Sequence, residues 1–99
     1  MSVIILGGNE CMTRQYIELC GEYNCKAKVF PKMSNSIKNI GSPDLLILFT
    51  STVSHTMVRR AMRVIDRDNN IIERSHSSSI ASLKSILDSY ASREEMKNV

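Results

Sequence analysis

Pro43-Asp44-Leu45-Leu46-Ile47-Leu48-Phe49-Thr50-Ser51-Thr52-Val53-Ser54-His55 is the stretch whose reading decides the fold. Its centre, Leu45 to Phe49, is apolar at every position. It is far shorter than the roughly 18 residues of a membrane helix. A strand with no polar face has nothing to turn toward water, so it belongs in a parallel sheet covered on both sides. Gly41-Ser42-Pro43-Asp44 is a turn signal ahead of it. Behind it, Thr50-Ser51-Thr52 leads into a helix predicted from about Ser54 to Arg67. Val58, Ala61, Met62 and Ile65 fall there at i, i+3, i+4 and i+7, one apolar helical stripe.

Working outward, Val3-Ile4-Ile5-Leu6 is a second wholly apolar run, closed by Gly7-Gly8. Asn9 can cap a helix carrying Met12, Tyr16, Leu19, Cys20 and Tyr23, with Gly21 near its end. Lys26 to Phe30 alternates around Ala27 and Val29 as a strand does, and Pro31 stops it. Residues 32 to 43 are the least regular, with room for a short helix from Ser34 through Ile37 and Ile40 to Gly41. Ile71 to Arg74 reads as a short strand. One of Ser77, Ser78 or Ser79 then caps a last helix with Ile80, Leu83, Ile86, Leu87 and Tyr90 inward. The order β-α-β-(α)-β-α-β-α means an α/β fold with helices on both faces of a parallel sheet. The expected strand order is 2-1-3-4, a shortened flavodoxin-like or Rossmann-like layout.

Composition bounds the rest. Ninety-nine residues, 42% hydrophobic and 23% charged, make one core. Residues 1–91 read as one domain, and residues 92–99 as a polar C-terminal tail that frays. Three cysteines without a C-x-x-C pair point to reduced thiols. The N-terminus has no basic region ahead of its apolar run, so no signal peptide is expected and the cytoplasm is. A net charge of +3 admits an anionic ligand without requiring nucleic acid. Without Trp, and with only 5% aromatic residues, a base-stacking platform is nearly excluded.

Open parallel sheets take ligands at the carboxyl ends of their strands, where the strand order reverses. That point falls between the first and third strands. Gly7, Gly8 and Asn9 flank it on one side, and the run from Thr50 through Ser54 to His55 on the other. Arg74, His76 and Ser77 follow the fourth strand at the same edge. Three helix N-termini open there and favour anions. The Gly7-Gly8 pair reads either as a tight strand-to-helix turn or as a floor for close ligand approach. It is neither a dinucleotide fingerprint nor a P-loop. His55 is the foremost candidate, because a neutral imidazole can ligate a metal or act as a base. The bland alternative is a ring that only hydrogen-bonds its turn. Cys11 also falls in a first helical turn, but position 17 is Ile, so there is no phosphatase loop. A small buried thiol is the reading favoured for it. Arg59, Arg60, Arg63 and Arg67 form a basic stripe. With so modest a net charge and no recognition motif, a solvated helix face is the favoured reading.

Gly7-Gly8-Asn9-Glu10, the segment from Pro43 to His55, and Ile71 to Ser79 together resemble a bacterial family, domain of unknown function 2325. The resemblance runs over about residues 3 to 90, and Thr52-Val53-Ser54-His55 is its most specific element. It implies a Rossmann-like domain and supports the same sheet edge as the site. It implies no reaction.

The functional expectation is a non-catalytic ligand-binding or sensor module. A flat, anionic, metal-containing ligand suits the site chemistry. The sharpest case is haem, with His55 as axial metal ligand and propionates near helix N-termini, Arg14 or Arg74. Six methionines offer a second axial ligand or soft walls. So small a sheet cannot enclose haem alone, so a homodimer is expected, with no membrane and no nucleic acid as partners. The alternatives are a phosphate-bearing ligand, nucleotide or sugar phosphate, at the same N-termini, and a small enzyme using His55 or Cys11.

Overall fold

The computed structural model describes residues 1–32, 43–65 and 71–97, the last six through their backbone alone. The strands are β1 (Ser2–Leu6), β2 (Lys26–Phe30), β3 (Leu45–Phe49) and β4 (Ile71–Ser75). The helices are α1 (Thr13–Glu22), entered through a 3-10 turn over Glu10–Met12, α2 (His55–Val64) and α3 (Ile80–Lys97). The strands form one sheet in the order β2-β1-β3-β4, and every neighbouring pair is parallel. Both the α/β class and the expected strand order hold. The short helix expected over Ser34 to Gly41 falls outside the described residues. The helix expected to run to Arg67 is corrected, since α2 ends at Val64 and the backbone at Ile65 is already extended.

Two-sided burial explains the layers. All five residues of β3 and four of the five in β1 are buried. Alternation sends Val3, Ile5, Leu45, Ile47 and Phe49 to one face, where Tyr16 and Cys20 of α1 and Leu83, Leu87 and Tyr90 of α3 cover them. Ile4, Leu6, Leu46 and Leu48 go to the other face, under Met57 and Ala61 of α2 and the following Ile65. Among the described residues no charged side chain is buried.

The element ends follow local chemistry. The helix around Tyr16 runs one residue past Gly21 and closes at Asn24, which takes the left-handed conformation (φ 60°). The Asn24 N–H then donates to the Gly21 carbonyl and the Cys25 N–H to the Cys20 carbonyl, each at 3.0 Å. Ser54 caps α2 through its side chain, and Ser79 does the same for α3 by accepting from the Ser82 N–H at 3.2 Å. α3 runs through Lys97, so most of the stretch read as a polar tail has helical backbone. On the outer surface Tyr23 of α1 donates its hydroxyl proton to Asp88 of α3. Lys84 lies 3.6 Å from the same carboxylate. That carboxylate holds the Tyr23 phenol above its ordinary range, since the neutral hydroxyl is the donor.

Among the described residues no helix is long and apolar enough to cross a membrane. All three cysteines are free thiols. Burial pushes the Cys20 thiol up from an ordinary 9.0 to about 11, with the neighbouring Cys25 thiol adding to it. A raised thiol pKa means that the fold favours the protonated form. That contribution is fully present below pH 9.0 and is lost as pH climbs toward about 11. Urea melts between those pH values should show stability falling by up to about 2 kcal/mol, with a shallower fall in Cys20→Ala.

Candidate functional site

The carboxyl ends of β1, β3 and β4 share one edge, as a parallel sheet requires. The loop after β1 is tightly occupied by the protein itself. Gly7 and Gly8 both have positive φ, 89° and 91°. A Cβ on Gly7 would lie 2.8 Å from the Thr52 hydroxyl oxygen, and one on Gly8 would lie 2.9 Å from the Tyr16 ring. The backbone donors are used as well. Gly7 N–H donates to the Phe30 carbonyl at 2.9 Å, and Gly8 N–H to Thr52 Oγ1 at 2.7 Å. Asn9 N–H donates to the Tyr16 hydroxyl at 3.2 Å. That hydroxyl donates in turn to the Ser78 carbonyl at 2.6 Å, tying the first loop to the entrance of α3. The Tyr16 ring stands 5.4 Å from that of Phe49 in a tilted contact.

The open space lies one strand further along, on the α2 side. A pocket of about 220 Å³ is lined by Leu48, Thr50, Val53, His55, Val58 and Arg74. Leu48, Val53 and Val58 supply apolar walls. Thr50, His55 and Arg74 supply polar groups, and all three are exposed. The register explains the meeting of Arg74 with His55. Arg74 pairs with Leu48, so its side chain leaves the sheet on the α2 face, where α2 begins with His55. Thr50 holds the two strand ends together, its N–H donating to the Ser75 carbonyl at 2.9 Å. Neither the His55 nor the Arg74 side chain has an ion pair or hydrogen bond among the described residues.

The predicted site residues therefore divide. His55 and Arg74 share the pocket. Ser54 lies beside it as the α2 cap, its Oγ accepting from the Met57 N–H at 3.1 Å. Gly7 and Gly8 form the packed turn, and Asn9 caps the 3-10 turn by accepting from the Cys11 N–H at 2.9 Å. Arg14 stands on α1, on the other face of the sheet, paired with Glu18 at 3.4 Å. His76 is exposed and does not line the pocket, while Ser77 Oγ donates to Ser79 Oγ at 3.2 Å. Cys11 is exposed rather than buried, because the 3-10 turn that precedes α1 lifts it off the sheet. It does not line the pocket with His55.

Sequence reasoning placed the site at the β1–β3 crevice. The crevice is closed by Thr52 and Tyr16, which displaces the opening toward β3 and β4. The signal for this lay in Tyr16, whose apolar spacing was legible but whose hydroxyl, once buried, had to find partners. What remains can hold a small ligand with an apolar body and an anionic group. A guanidinium pairs bidentately with carboxylate or phosphate, and an imidazole hydrogen-bonds or ligates a metal. No group of three or more His, Cys, Asp or Glu able to hold a bare metal ion occurs among the described residues.

These features define a small Rossmann-like α/β domain with its accessible loops on one edge. Residues 2–90 match the family described as an uncharacterized protein conserved in bacteria, DUF2325, and the chain belongs to it. No curated protein and no solved structure matches the chain.

The two kinds of glycine position give opposite expectations. Gly8→Ala meets both positive φ and the Tyr16 ring, and should cost about 2–4 kcal/mol in a urea melt. Gly21, inside α1, has open space where a Cβ would go. Gly21→Ala should raise stability by about 0.5–1 kcal/mol.

Proposed function

We propose that this domain is a non-catalytic module that binds a small anionic ligand at the pocket between β3, β4 and the start of α2. The observation that supports it is the pairing of two unpartnered polar side chains, His55 and Arg74, over apolar walls. In its sharpest form the ligand would be haem, which His55 would hold through its iron and Arg74 through a propionate. Bound haem would supply a metal centre for sensing or carriage. The chain's own residues would orient the macrocycle edge on Leu48, Val53 and Val58. The reading places the protein in the cytoplasm, where its three free thiols would stay reduced.

At about 220 Å³ the pocket lies below the roughly 300–1,000 Å³ that encloses a drug-sized ligand. It would seat only one edge of a porphyrin, and the rest would be exposed or covered by a second copy. A homodimer is therefore part of the reading. Sedimentation at about ten micromolar protein should show hemin driving dimer formation, and a protein that stays monomeric with hemin bound argues against the shared site.

Hemin titration tests the ligand. Wild-type protein should give a sharp, saturable Soret band. His55→Ala should abolish or strongly blue-shift it, at a stability cost of about 1 kcal/mol or less for an exposed first-turn residue. Affinity should also fall as acid protonates the imidazole, because only the neutral ring ligates. An unchanged Soret band in His55→Ala would identify nonspecific adsorption. The second reading then stands, a phosphate-bearing ligand held by Arg74 and the first turn of α2. Thermal shifts with nucleotides and sugar phosphates, lost in Arg74→Gln, would support it.

A further inference from the structure

Charge in this domain is divided between the two faces of the sheet. The α2 sequence, His55-Thr56-Met57-Val58-Arg59-Arg60-Ala61-Met62-Arg63-Val64, has no carboxylate. Its inward residues are Met57 and Ala61, while Arg59, Arg60 and Arg63 are exposed. Arg59 and Arg63 are four residues apart, and Arg60 and Arg63 three, so like charges stand adjacent on one helix, a destabilising arrangement. Register places further cations on this face. Lys28 pairs with Ile4 and Lys26 with Ser2 on β2, and Arg74 pairs with Leu48 on β4. Lys26, Lys28 and Arg74 are exposed.

The described carboxylates lie elsewhere. Glu10, Glu18, Glu22 and Asp88 belong to α1, its entry turn and α3. Asp44 is at the opposite sheet edge, accepting from the Ser2 N–H. Glu73 pairs with Ile47 and so sits on the α1 and α3 face. Every ion pair among the described residues, Arg14–Glu18, Lys32–Glu10 and Lys84–Asp88, involves these carboxylates. None involves a cation of the α2 face. The modest overall charge of +3 does not reveal this division, because among the described residues the carboxylates lie off the α2 face.

We infer that the α2 face is a docking surface for the phosphate backbone of duplex nucleic acid, bound without sequence preference. The face carries mainly guanidinium groups, which take phosphate oxygens bidentately. A duplex strand presents a charge about every 3.4 Å, and Arg59 to Arg63 spans about 6 Å of helix, so any register meets a phosphate. A single strand is disfavoured because Tyr16, Phe49 and Tyr90 are buried on the opposite face, and Phe30, half-buried against the α2-face core, is a lone ring and not a row on which successive bases could stack. A lipid surface is disfavoured because Met57 and Ala61 are sealed against the sheet, and Val64 is the one large apolar side chain of α2 that stands exposed, too little to insert. Arg74 borders both this surface and the ligand pocket, but Arg59, Arg60 and Arg63, which the test addresses, do not line the pocket.

Fluorescence anisotropy with a short, labelled, random-sequence duplex tests it, read across salt from about 50 to about 200 mM. Wild-type binding should weaken with salt along a log–log slope of about −3 to −5. The triple variant Arg59→Gln, Arg60→Gln, Arg63→Gln should lose at least about tenfold in affinity and flatten that slope by about 3. Arg14→Gln with Lys84→Gln, on the other face, should leave both unchanged. Should the triple variant misfold by circular dichroism, Lys26→Gln with Lys28→Gln should flatten the slope by about 2 instead. The inference is overturned by absent duplex binding at the lowest salt or by equal losses in the two sets of variants. Binding to phosphatidylserine–phosphatidylcholine vesicles in place of duplex also overturns it.

Discussion

The burial of β3 on both faces is the constraint from which the rest of the architecture follows. Five successive apolar side chains alternate across the sheet, so neither face can be left to water. One strand on each side, β1 and β4, satisfies its backbone. α1 and α3 cover one face and α2 the other. A parallel arrangement then puts the loops after β1, β3 and β4 on a single edge. The site follows from that topology before any particular side chain is considered.

Which part of the edge stays open is a matter of packing. Thr52 and Tyr16 converge on the Gly7-Gly8 turn from two different elements and fill the crevice at the reversal of strand order. The glycines are needed because the backbone there takes positive φ and because their neighbours leave no room for a Cβ. They serve the fold. One strand along, Thr50 joins the ends of β3 and β4, and Leu48, Val53 and Val58 leave a gap that His55 and Arg74 border.

The strands were legible because burial leaves a mark on composition. β2 and β3 match their sequence-predicted limits, and β1 and β4 differ from theirs by one residue. Helix ends were less legible. Gly21 looked like a terminator, yet Asn24 performs that function, since asparagine also tolerates the left-handed region. The polar residues after Tyr90 read as a tail because periodicity fades there, but the helix, already nucleated, propagates to Lys97. In the site, His55 and Arg74 could each be named from their place after or near a strand end. Their meeting depended on the β3–β4 register, which no local pattern encodes. Cys11 was misread as buried because a 3-10 turn shifts the phase of the residues before α1.

The Tyr16 hydroxyl, which accepts from Asn9 and donates to Ser78, also bears on how the chain can acquire its structure. The two ends of that link are separated by most of the sequence. As the polypeptide leaves the ribosome, the turn after the first strand stays incomplete until the entry to the last helix has emerged. A nascent chain stopped before Ser78 would hold Tyr16 with its proton undelivered and Phe49 without its full covering layer. Closing the turn after the first strand is therefore a late step, and two fragments divided in the middle of the sequence would each lack one end of this link.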